Sequence, residues 1–116
     1  IESAIELFDM NRPLSHISKI EIVRGDITVT AARFVSENPH LVVSLLNLDL
    51  DLYEPTRAAL EAFLPCMPKG SIIVFDELNA KTLPGETLAV KEILGMNSMR
   101  IERFVHDTYF SYAILE

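Results

Sequence analysis

Two apolar runs of strand length, each ending in carboxylates, constrain this chain more than any other feature. The first lies in Leu41–Thr56, LVVSLLNLDLDLYEPT, and closes on Asp49 and Asp51, with Glu54 beyond them. The second lies in Gly70–Asn79, GSIIVFDELN, and closes on Asp76 and Glu77, with Asn79 after them. Unbroken apolar runs between polar turns suit strands buried on both faces, as in a parallel sheet covered by helices. Ligands of such sheets gather outside the carboxyl ends of the strands. Neighbouring strands that both end in acid bring like charges together. Each then raises the pKa of the others unless a cation or a shared proton relieves them. That crowding is the functional signal.

The rest of the chain alternates helix and strand patterns around these runs. Ile1, Ala4, Ile5 and Phe8 form a helical stripe, already in register at the first residue as though something preceded it, and Asn11-Arg12-Pro13 stops it. Lys19–Arg24, KIEIVR, alternates polar and apolar residues and reads as a strand ending at Gly25-Asp26. A second helix is expected from Thr28 to Glu37, burying Ala31, Phe34 and Val35. A strand at 41–48 follows, and then a third helix with Pro55 at its first position and Ala59, Leu60, Phe63 and Leu64 inside. After the strand Ser71–Phe75, Pro84-Gly85-Glu86 opens a fourth helix that buries Val90, Ile93 and Leu94 and closes at Gly95. Arg100–Val105 and Tyr109–Leu115 form a hairpin pair, with Tyr109, Phe110 and Tyr112 packing on a helix. The order α-β-α-β-α-β-α-β-β implies an α/β fold: a three-layer Rossmann-like sheet, mostly parallel, with a C-terminal antiparallel hairpin.

Composition narrows the partners. At 116 residues the chain is one domain at most, and its 49% apolar content argues for a packed core. Its 10 basic and 17 acidic residues leave no basic stripe for a phosphate backbone, so no nucleic acid is expected. No run approaches membrane-spanning length, and no signal-peptide pattern is present. The single Cys66 cannot form an internal disulfide and reads as a buried apolar residue, which fits a reducing, cytoplasmic setting. His16, His40 and His106 share no ligand spacing and receive no role.

Three segments in order, LNLDLDLYEPTRAAL, MPKGSIIVFDELN and PGETLAVKEIL, resemble the macrocin O-methyltransferase family. KIEIVRGDI fits that family's third strand. These are class I S-adenosylmethionine-dependent enzymes that methylate sugar hydroxyls, notably on macrolides, with help from a divalent metal such as magnesium. The resemblance covers nearly the whole chain but only the second half of such an enzyme, so residues 1–116 are expected to be one partial methyltransferase-like domain. It implies that Asp49, Asp76 and Glu77 are metal ligands, that Asp51 is a further ligand or the base for the hydroxyl, and that Asp26 lies near the cofactor adenine. Glu77 departs from the family's more usual second aspartate, and Lys69 replaces a glycine in its Pro-Gly-Gly turn. The larger departure is an absence. The glycine-rich loop that holds the methionine part of the cofactor has no counterpart, since Gly25, Gly70, Gly85 and Gly95 fall in separate loops. A fragment of a longer enzyme, or a truncated relative inactive alone, is implied.

Plainer readings stand beside these. Asp49 and Asp51 suit a helix N-terminus, Asp76 and Glu77 a solvated strand end, and Asp26 an Asp-x-Thr cap. Two acidic pairs on consecutive strand ends favour a shared site. Asp49-x-Asp51 also fits a metal-dependent nucleotide-sugar transferase, although the helix follows too soon. An aspartyl-phosphate phosphatase would have a Thr where Tyr53 stands. A non-catalytic association module is the third alternative. In the family, two strands separate the KIEIVR strand from the next. Their absence is expected either to bring 19–24 directly beside 41–48 in a closed-up sheet or to leave a slot that a second copy fills in a homodimer.

Overall fold

Leu48, Ile73, Phe75 and Ala113 share one face of a four-stranded sheet and are fully buried there. The computed structural model, which describes residues 1–116, forms that sheet from β1 (Leu45–Leu48), β2 (Ile72–Phe75), β3 (Ile101–Arg103) and β4 (Ser111–Ile114). Its order is β1-β2-β4-β3. β1 and β2 run parallel with Leu46 opposite Ile73 and Leu48 opposite Phe75. β4 is antiparallel to both β2 and β3. The helices are α1 (Glu2–Met10), α2 (Ile27–Glu37), α3 (Tyr53–Phe63) and α4 (Gly85–Ile93). Ala59 and Leu60 of α3 and Ala89 and Val90 of α4 close over the buried sheet face. Burying a side chain the size of Phe75 or Leu48 contributes about 1.5–3 kcal/mol, so this patch supplies most of the tertiary stability.

The expected α/β class and C-terminal hairpin are present, but the sheet is not mostly parallel: β1–β2 is its one parallel pairing, because β4 returns antiparallel beside β2 and pairs with β3 in the hairpin. Of the three expected layers, the chain itself supplies the sheet and one helix layer, with α3 packed between α2 and α4. The opposite sheet face carries Leu45 and Ile114, both about half exposed, and α1 buries no residue. Only 15 of 116 residues are buried. The radius of gyration is 15.4 Å, against about 13 Å for a compact domain of this length. The excess comes from α1 and the segment after it, which stand off the core.

The strand expected at Lys19–Arg24 does not form, and neither does the closed-up sheet. No backbone hydrogen bond joins 19–24 to 41–48, and β1 is an edge of the sheet. The reason is where α2 is held. It packs against α3, so the chain enters it at Gly25 alongside the helix layer, and Arg24 pairs with Glu2 of α1 rather than reaching the sheet. A cleft of about 440 Å³, lined by Glu21, Val23, Ala31, Phe34 and Phe63 among others, separates this segment from the core.

Smaller corrections have local causes. The strand expected from Leu41 begins at Leu45. Val43 donates instead to Cys66 O in the turn after α3, and Ser71 Oγ donates to Val43 O at 3.0 Å. α3 starts at Tyr53, which makes Pro55 its third residue, where the proline still interrupts no helical hydrogen bond. Cys66 is half-buried. Tyr112 packs across the hairpin instead of on a helix: its ring lies 5.0 Å from that of Phe104, and its hydroxyl donates to Glu102 at 2.7 Å. Tyr109 is 65% exposed.

Candidate functional site

Both acidic segments emerge at the same end of the parallel pair because the ladder runs one step beyond β2. Asp76 N–H donates to Leu48 O at 3.2 Å, which sets Asp76 beside Asp49. The two turns that follow are both unusual. Asp51 takes a left-handed conformation at φ 57°, and Leu52 N–H folds back onto Leu50 O. Asn79 takes φ 72°. Non-glycine residues in this region are uncommon and concentrate at functional turns, with Asp and Asn the best tolerated.

The electrostatics of the four carboxylates agree with this placement. Burial pushes the Asp76 carboxyl above its ordinary pKa, and the neighbouring charges of Asp49, Asp51 and Asp107 push it further. Glu77 is raised by burial first, and then by Asp51, Asp76 and Asp49. None of the ion pairs in the molecule involves Asp49, Asp51, Asp76 or Glu77. Glu77 Oε2 is buried with no hydrogen-bond partner. A buried carboxylate oxygen without a donor is costly, and a hard cation is what would relieve it. Carboxylate oxygens are the donor type that hard divalent cations take. The side chains are not, however, drawn into any set of three or more that converges on one ion position.

The sequence-derived candidates divide accordingly. Asp49, Asp51, Asp76 and Glu77 come together. Asp26 stands apart as the N-cap of α2, where its Oδ1 accepts from Thr28 N at 2.9 Å and Thr28 Oγ1 at 2.8 Å. Those bonds hold its pKa below the usual value. Both fall on Oδ1, leaving Oδ2 for another contact.

Sequence reasoning missed two contributors. Asp107, in the β3–β4 connection, adds its charge to the field on Asp76 while its Oδ1 accepts from Tyr109 N and Phe110 N. Glu86, in the first turn of α4, is 1% exposed, and its Oε1 accepts from Glu77 N at 3.2 Å. Burial pushes its carboxyl up to about 7, only partly offset by backbone hydrogen bonds from Glu77 and Asp76. An acid in a helix's first turn reads in sequence as a solvated dipole partner, so no local signal marks Glu86 as buried.

No protein-family model and no curated protein matches the chain. Solved structures do. The apo structure of CalS11, a TDP-rhamnose 3'-O-methyltransferase of calicheamicin biosynthesis, superposes with a TM-score of 0.91 at 34% identity, covering 97% of this chain and 49% of that one. A second structure of CalS11, the calicheamicin methyltransferase, matches with the same TM-score and identity over 44% of its chain. The fold is an O-methyltransferase fold. This chain spans about half the length of the structures it matches. In an open α/β sheet ligands bind outside the carboxyl ends of the strands, which is the end where these carboxylates stand. The nucleotide-sugar transferase reading has little room here, because α3 begins at Tyr53, two residues beyond Asp51.

Proposed function

We infer that this chain is the acidic, metal-holding portion of an S-adenosylmethionine-dependent O-methyltransferase that acts on a sugar hydroxyl. The observation that supports the reading is the crowding of Asp49, Asp51, Asp76 and Glu77 at one end of the sheet without a positive partner, on a fold shared with a sugar O-methyltransferase. Asp49, Asp76 and Glu77 would hold the cation, with Mg²⁺ the hard ion such oxygens suit. Asp26 would meet the cofactor adenine through its free Oδ2. The acceptor is a small molecule, a deoxysugar carried on a nucleotide or a macrolide, and the setting is the cytoplasm. A homodimer that fills the cleft beside 19–24 belongs to the same reading.

When bound, S-adenosylmethionine supplies the transferable methyl group and the cation lowers the pKa of the acceptor hydroxyl. The protein's own part is positional. Asp51, exposed on its left-handed turn, would take the proton of the acceptor hydroxyl as that oxygen gains the methyl group and the sulfonium sulfur of the cofactor loses it. The strand ends would hold the neighbouring carboxylates and so help aim the hydroxyl oxygen at the transferable methyl, a contribution of proximity and orientation. The test is methyl transfer from S-adenosylmethionine to TDP-rhamnose by the full natural chain with Mg²⁺. Product that disappears in the Asp49→Asn, Asp76→Asn variant supports the reading. Undiminished transfer by that variant overturns it.

A further inference from the structure

The first turn of α4 touches both acidic turns at once. Gly85 lies so close to the turn after β1 that a Cβ there would stand 2.7 Å from Asp51 O and from Leu52 C, and closer still to Tyr53 N. The next residue, Glu86, accepts from Glu77 N at 3.2 Å, and Thr87 Oγ1 accepts from Asn79 N at 2.7 Å. Three consecutive residues therefore clamp the ends of two different strands. Glu86 is 1% exposed, and its neighbourhood is acidic, with Asp76 and Glu77 facing it and no cation beside it. Desolvating a carboxylate there is costly, and a core made only for stability would place an apolar residue at such a position. The cost becomes intelligible if the carboxylate's task is to hold a backbone in place.

We propose that Glu86 is a positioning residue: with Gly85 and Thr87 it fixes the Asp76–Asn79 backbone against the 51–53 turn, and so sets the spacing of the two acidic strand ends. The consequence for cation binding rests on the metal reading above; the consequence for the backbone does not. Outer-shell groups of this kind orient ligands without touching the ion, and their loss weakens metal binding by about tenfold or more.

The experiment compares Glu86→Ala, Glu86→Gln and Val90→Ala with the parent chain. Val90 is fully buried in the same helix but has no polar group to hold either turn by a hydrogen bond, so it reports plain destabilisation. Amide hydrogen exchange is read at Glu77 and Asn79, and Mg²⁺ alone is titrated calorimetrically. Glu86→Ala should exchange the Glu77 amide about tenfold faster than a Val90→Ala protein of equal global stability. Glu86→Gln, which keeps an acceptor oxygen, should restore protection, and Mg²⁺ affinity should follow the same order. If Glu77 exchanges alike in Glu86→Ala and Val90→Ala, or if glutamine fails to rescue, the proposal is wrong. A parent chain that binds no Mg²⁺ yet shows the exchange pattern overturns the metal reading alone and leaves the positioning role standing.

Discussion

Glu86 Oε1 accepts the backbone N–H of Glu77 at 3.2 Å, so a side chain of α4 holds the end of β2. The bond is made inside the core, and the carboxyl is pushed up from its ordinary 4.5 to about 7 by burial. Between those values the folded protein binds a proton that the unfolded chain releases. Stability is therefore highest below about pH 4.5 as far as Glu86 is concerned, falls as pH rises through the window, and is level above about 7. Asp76 and Glu77 are raised too and act with the same sign. Urea unfolding at pH 5 and pH 7.5 should show the parent chain losing up to about 3 kcal/mol, and Glu86→Gln should flatten much of that slope. A slope unchanged by the glutamine would mean that Glu86 is ionised and satisfied throughout.

Magnesium should reverse the penalty of the crowded acids. Saturation at about a hundred times the dissociation constant stabilises a folded protein by about 2.7 kcal/mol. A thermal midpoint that rises by several degrees in millimolar Mg²⁺ is expected, with no rise in the double variant Asp49→Asn, Asp76→Asn. The same rise in that variant would place the ion elsewhere.

Gly85→Ala tests the close approach between α4 and the turn after β1. The added methyl meets backbone atoms, which cannot rotate away as a flexible side chain would. A loss of about 1–3 kcal/mol is expected from overpacking. Because the displaced atoms belong to residues 51–53, Mg²⁺ affinity should fall along with stability. Parent-like unfolding would show that the contact relaxes freely.

Cofactor binding by residues 1–116 alone should be weak. No two glycines share a loop, so no backbone here can approach a methionine tail closely with several N–H groups free. Calorimetric titration with S-adenosylmethionine should show no micromolar binding and no methyl transfer to TDP-rhamnose. A micromolar dissociation constant would mean that the cleft beside 19–24 cradles the cofactor unaided.

What the sequence determined by itself was local. The apolar runs, the Asp26-Ile27-Thr28 cap, the stop at Asn11-Arg12-Pro13 and Gly95 at the end of α4 place most elements to within a few residues, because each depends on neighbours a turn or less away. The acidic pairs were legible for the same reason, as strand ends followed by turns. Only the tertiary structure decided the rest. KIEIVR alternates like a strand, but a strand exists only where an edge accepts its hydrogen bonds, and α2 packed on α3 holds this segment away from β1. Glu86 is polar by type and buried by position, held by an amide nine residues away. Asp107 joins the field on Asp76 only because the β3–β4 connection returns to the acidic end of the sheet. Periodicity records which face of an element is apolar. It carries no information about which distant backbone that face will meet, and the candidate site is built from those meetings.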